Sequence, residues 1–295
     1  MSTNRSIHAL GYTACGLVLL LLAVGCDALN FAPLVSATTT LTEEFKTGPS
    51  PKIVIETFNG SIDVSEGESD EVVVEVTKRA GGFDRETAEA NLDYIEVSIV
   101  QKDDTIHVTA RRLGRQGNFG AAVVVAAPKA ARLNLKSSNG RVVCEGLEGG
   151  IEATTSNGKI EIVEARGAID VATSNGGIEI EADDATVEAK SSNGTIKFQG
   201  TLADKEHRFK TSNGRIQLYL PAKSQFRLDC STSNASVQCD FPIAEKARSS
   251  KRKLAGTVGD DPRFSIVAQT SNGGISIRKA DADKPIRTRI DQRLD

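Results

Sequence analysis

One asparagine, recurring in a fixed local context, constrains this chain more than any other feature. Asn139, Asn157, Asn175 and Asn193 are spaced by 18 residues each, and Asn213 and Asn234 follow after 20 and 21. Asn272 comes 38 residues later, and Asn59 stands 80 before Asn139. Six of the eight sit in a Ser/Thr-Ser-Asn-Gly tetrapeptide; the exceptions are Phe58-Asn59-Gly60 and Ser233-Asn234-Ala235. Such self-similarity marks a repeat architecture, in which a unit buries its apolar face only by stacking on its neighbours.

The flanks say what each unit is. Six and four residues before the Asn lie pairs such as Ile151/Ala153, Ile169/Val171 and Val187/Ala189. Three and five residues after it lie Ile160/Ile162, Ile178/Ile180 and Ile196/Phe198. Across all eight units, His207 is the only residue at these four offsets that is not apolar. Apolar and polar residues alternate along each flank, the period of a half-buried strand. Two residues before each Asn there is always Thr or Ser: Thr57, Ser137, Thr155, Thr173, Ser191, Thr211, Thr232 and Thr270. They share the inward face, so each hydroxyl is expected to bond a backbone group at the turn.

The parity of inward positions switches at Asn-Gly, so the chain turns there, and both residues tolerate the positive φ of a tight corner. Two architectures fit. An Asn-Gly type I′ hairpin gives the same parity. In a parallel solenoid each unit is instead one coil, and stacked asparagines bond along the column as a ladder. The solenoid is favoured, because stacking holds every coil to its neighbour's perimeter and so explains the 18-residue period. The expected fold is an all-β parallel β-solenoid of about eight coils with an inserted β/α capping segment.

The N-terminal residues are of another kind. The apolar run Leu17–Ala23 is too short to span a bilayer comfortably and reads as a signal peptide over 1–25. It ends in Leu22-Ala23-Val24-Gly25-Cys26, which resembles the bacterial lipobox. The resemblance implies that Cys26 is acylated and becomes the new N-terminus, although Ala23 stands where Leu is commoner. Asp27 points to inner-membrane retention under enterobacterial sorting rules. Residues 26–50 read as a tether, 51–280 as the repeat domain, and 281–295 as a charged tail. Within the domain, 65–130 interrupts the repeat with a strand over 71–77, a helix capped by Asp84, and further strands over 95–100, 105–111 and 121–127. Residues 242–262 interrupt it again as a basic loop containing Lys246, Arg248, Lys251, Arg252 and Lys253. The loop reads as solvated, with lipid head groups or anionic polysaccharide as the sharper alternative. Cys144, Cys230 and Cys239 lack the paired spacing of a zinc site and read as buried small side chains. Cys230 and Cys239 both fall on inward positions and could pair as a disulfide after export.

Catalytic chemistry on such a scaffold needs acidic or basic groups gathered on an outward column. The stacks Glu152-Asp170-Glu188 and Glu161-Glu179 are the notable ones, and solvated face charges explain them more simply than cation binding. His107 and His207 are the only histidines after the signal, no Ser or Cys has a visible partner, and no phosphate-cradling glycine motif occurs. Neither a metal nor a cofactor is expected, and a net charge of −3 gives no reason to expect nucleic acid. The chain therefore reads as non-catalytic.

The Thr-Ser-Asn-Gly-x-Ile-x-Ile units, and the helix followed by Ile95–Ile99 and Thr105–Val108, resemble the bacterial putative-adhesin family. That family of β-repeat envelope proteins has no assigned function, and the likeness runs over roughly 45–280. It implies an envelope lipoprotein that meets glycan, peptidoglycan or another surface protein through its outer faces. A carbohydrate-active solenoid enzyme and a regulatory lipoprotein of the envelope stress response are the alternatives.

Overall fold

In the computed structural model, which describes residues 35–114 and 117–280, the alternating flanks form strands stacked in parallel and in register. Ile151, Ala153 and Thr155 lie beside Ile169, Val171 and Thr173 of the next coil. Ile160 and Ile162 lie beside Ile178 and Ile180. These pairings decide for the solenoid over the hairpin repeat. Each coil gives one strand to a leading face, before its Asn, and one to a trailing face, after it. The inward residues of both faces meet in one core that includes Ile55, Leu135, Ile160, Phe198, Phe209 and Ile277.

The stack has nine coils, not eight. Strands Thr105–Arg112 and Phe119–Ala127, expected within the capping insertion, form a coil of their own against the Asn59 coil. Its corner has no Asn-Gly, and Ala110 stands at the inward position that Thr57 fills next door. Stacking order also departs from chain order at both ends. The Asn59 coil lies between the 105–127 coil and the Asn139 coil. The Asn272 coil, last in the chain, lies between those of Asn213 and Asn234.

Three further segments differ from expectation. Val35–Lys46, assigned to the tether, is a strand paired antiparallel along its whole length with Glu71–Gly82. The latter extends the trailing face beyond Phe119–Ala127, while Ile95–Lys102 extends the leading face beyond Thr105–Arg112. Residues 242–262 contain no simple loop: Ile243–Ser250 and Lys253–Val258 form a hairpin that pairs antiparallel with Phe226–Thr232. Parallel coils otherwise end in open strand edges, and antiparallel hairpins satisfy those backbone groups. Helix Arg85–Asn91 packs on the N-terminal end; Asp84 caps it by accepting the Thr87 N–H at 2.7 Å, and the Asn91 amide donates to the Gly81 carbonyl at 2.8 Å.

Candidate functional site

The eight Asn-Gly corners are architecture. From Asn234 the side-chain amide donates to Asn272, and the chain of bonds runs on through Asn213, Asn193, Asn175 and Asn157 to Asn139, at 2.5–2.8 Å. Asn59 stands apart and donates to the Phe119 carbonyl at 2.6 Å. Beneath the ladder every predicted hydroxyl finds its backbone partner: Thr155, Thr173 and Ser191 donate to Gly140, Gly158 and Gly176 of the neighbouring coil at 3.0 Å each. Gly60 alone of the corner glycines has a positive φ, of 156°, and the others are needed for a different reason. An added Cβ on Gly158, Gly176 or Gly194 would lie 1.7–1.8 Å from the carbonyl oxygen of the glycine stacked on it. Left-handed backbone occurs instead at the opposite corner, at Gly146, Gly150, Glu164, Gly167 and Asp184. The single Asn-Ala corner, Ala235, falls on the terminal coil, stacked on the Asn272 coil.

Of the other predicted residues, Cys26 and Asp27 lie outside the described residues, as does the tail. Cys230 is buried and Cys239 half-buried, and both are free thiols in this structure. Burial pushes the Cys230 thiol up to about 12, and Cys144 rises for the same reason. Such thiols are poor nucleophiles. His107 is exposed on the leading face. His207 is fully buried: its Nδ1 accepts the Val187 N–H at 3.2 Å, its Nε2 meets the Ala203 carbonyl at 2.9 Å, and burial holds its pKa below the usual value. It is a satisfied core histidine.

The two acidic stacks have different fates. On the trailing face Glu161 occupies an outward position yet is only 4% exposed. Lys159 lies 2.9 Å from both Glu161 and Glu179, while Arg141 spans Asp63 at 3.4 Å and Glu161 at 4.0 Å. Burial alone would lower the Lys159 pKa, but its hydrogen bonds to the two carboxylates outweigh that and raise it. This ribbon sets two cations among three carboxylates across four coils and leaves one negative charge over.

On the leading face Glu152 and Asp170 are exposed and Glu188 is half-buried, and all three border a groove of about 500 Å³. Its floor is made by Gly150, Ala168 and Thr186, seven residues before their asparagines, where short side chains leave the sheet surface open. Lys52 and Arg132 close one end, and Glu206 and Arg208 the other. Asn134 donates to Glu152 at 2.8 Å, and Lys190 pairs with Glu188. Partial burial, then Glu188 and Glu152 on either side, raises the Asp170 pKa. Columns of charge do not reveal this groove; its signal in the sequence is the column of small residues. Among the described residues no group of three or more His, Cys, Asp or Glu is placed to hold a metal ion, and no helix is long and apolar enough to cross a membrane.

Stacked 18-residue coils, an amide ladder and hairpin-covered ends define a two-sided β-solenoid. A family model described as Toastrack DUF4097 matches residues 50–278, and the chain belongs to that family. No curated relative matches it. Solved structures with a similar course include a putative cell adhesion protein from Clostridium sporogenes, at 11% identity and a TM-score of 0.33 over 82% of this chain and 100% of that one. A putative adhesin from Bacteroides fragilis gives 12% identity and 0.38 over 81% and 97%. A putative lipid binding protein from Parabacteroides distasonis gives 15% and 0.38 over the same shares. At such identities and scores these neighbours carry no functional argument.

Proposed function

We propose that the chain is a non-catalytic binding module of the bacterial cell envelope, anchored by lipid at Cys26, that holds a polar polymer in the leading-face groove. The groove carries this reading. It runs across several coils, so it suits an extended ligand, and its carboxylate border, with one basic end at Lys52 and Arg132, suits a chain rich in hydroxyl and amino groups, such as an envelope glycan or peptidoglycan. The lipobox-like run before Cys26 supports the anchor.

Three measurements test it. A glycan and peptidoglycan-fragment array, read beside turnover assays on the same compounds, should show retention without product; product released by sub-stoichiometric protein would make the chain an enzyme. Replacing Glu152, Asp170 and Glu188 together by Gln, Asn and Gln should weaken retention at least about tenfold, the worth of one lost charged hydrogen bond, while the melting temperature holds. Labelling with a radioactive fatty acid should mark the wild type and not Cys26→Ser.

A further inference from the structure

We infer that the N-terminal end of the solenoid is a lipid-facing surface on which Phe83 leads the contact, a reading that rests on lipidation at Cys26. Phe83 is 77% exposed, and it is the only exposed phenylalanine among the described residues. Gly82, just before it, packs tightly against the helix: an added Cβ there would lie 2.4 Å from the Ala88 nitrogen. Tyr94 and Leu113, also exposed, share a surface depression with Ala90 on the same capping segment, and the Leu113 N–H donates to the Tyr94 carbonyl at 2.8 Å.

The tether says what covers this end. Strand Val35–Lys46 begins with Val35 directly opposite Gly82, so the chain leaves the domain beside Phe83, and Val35 is itself exposed. Eight residues, 27–34, separate Val35 from Cys26, a reach of at most about 30 Å when fully extended. An acyl chain in the bilayer therefore holds this end of the stack within that reach of the head groups. A short tether gives an effective concentration on the order of millimolar, at which a weak apolar contact is already populated. Aromatic and aliphatic side chains suit the boundary between head groups and acyl chains. The charges nearby are of mixed sign: Arg85 pairs with Glu89 at 2.7 Å, Lys78 donates to the Ile95 carbonyl at 3.0 Å, Arg112 adjoins Leu113, and Glu86 and Asp93 border the depression. The contact is apolar in character.

The chain contains no tryptophan, so Phe83→Trp introduces a sole fluorophore. The full-length lipidated variant, reconstituted in phosphatidylcholine vesicles, should emit to the blue of the detergent-free, vesicle-free value expected for an exposed indole, and brominated acyl chains should quench it. Tyr219→Trp, seven strand spacings along the trailing face from Glu71–Gly82 or roughly 34 Å away, should remain open to iodide and unquenched by the brominated lipid. Adding phosphatidylglycerol should change neither result. Iodide access at position 83 equal to that at 219, in protein that carries the fatty-acid label and floats with the vesicles, overturns this inference and leaves the anchor intact. Shielding at 83 without bromine quenching overturns it in favour of a protein partner. Absence of both label and flotation overturns the anchor and this surface together.

Discussion

The middle of the solenoid and its two ends are built from the same coil and obey different rules. From Arg132 to Leu220 the next coil in the chain is the next coil in the stack, and each ladder bond spans 18 to 20 residues. At the C-terminal end the bonds from Asn272 to Asn213 and from Asn234 to Asn272 span 59 and 38 residues. At each end the first or last repeat lies one coil inside, and the outermost coil belongs to a segment that carries an antiparallel hairpin. Regular stacking alone leaves both end coils with open edges; placing a hairpin-bearing coil outermost closes them. The middle is thus local and propagating, whereas each end closes only after a long loop has formed.

Removing residues 263–295 should have the largest effect, because it takes out an interior coil. Ile266, Ala268, Ile275 and Ile277 leave the core, and the strands of the Asn213 and Asn234 coils each lose a parallel partner. Burial of the three isoleucines alone is worth on the order of 5 kcal/mol. Hydrogen exchange should lose protection from about residue 206 onward, and a chain ending at Ala280 serves as the control. If the Asn234 coil stacks directly on the Asn213 coil with protection retained, the order of coils at this end is dispensable.

Next in size is Gly176→Ala in the middle of the stack. Its new Cβ would lie 1.8 Å from the Gly158 carbonyl oxygen, so two coils must separate. A loss of about 3 kcal/mol is expected, at the upper end for overpacking. The reciprocal change at the end, Ala235→Gly, should alter stability by less than about 1 kcal/mol, the range of glycine backbone entropy. Chemical denaturation of both variants compares them directly, and equal effects would dissolve the distinction between middle and end.

How much of this was legible follows from the same contrast. The inward pairs, the hydroxyl column from Thr57 to Thr270 and the asparagine ladder could be read because each repeats at fixed offsets, and stacking converts an offset into a contact. Order at the ends could not be read, since nothing local tells Asn272 that its neighbour is Asn213 rather than Asn234. The 105–127 coil was hidden for another reason: Ala110 and a corner without Asn-Gly remove both markers while leaving Ile106, Val108, Val123 and Val125 to pack normally. Val35–Lys46 has weak alternation, because an outer edge strand is exposed along most of its length. The acidic border of the groove was visible as a column of charge. Its depth was not, because it depends on what is missing at Gly150, Ala168 and Thr186.

A smaller effect distinguishes the two halves of a corner. Thr173→Val keeps shape and burial and removes the hydroxyl that donates to Gly158, leaving that carbonyl short of a partner. It should lower stability by about 1–2 kcal/mol, and the double change with Asn175→Ala should show coupling in a thermodynamic cycle. Additive losses would mean that the inner hydroxyl column and the outer amide ladder hold the coils independently.

The smallest effect lies at the junction of the two regimes. His207, on the last coil of the sequential middle, stands beside Ile266 of the intercalated coil and meets Phe264 edge-on at 5.7 Å. Its Nδ1 accepts the Val187 N–H, so the buried ring must stay neutral there. Burial depresses its folded pKa below the unfolded value of about 6.5. Between those two values the unfolded chain binds a proton that the folded chain refuses. The contribution to stability is therefore fully present above about pH 6.5 and declines as the pH falls from there toward the folded pKa, by at most about 1.4 kcal/mol per pH unit. His207→Leu removes this slope at the cost of an unpaired Val187 N–H, so it should be less stable at pH 7.5 and flatter between pH 7 and 5. Denaturant midpoints across that range check both halves. Parallel curves for the two proteins would show that the seam between sequential and intercalated coils opens far enough to solvate the imidazolium.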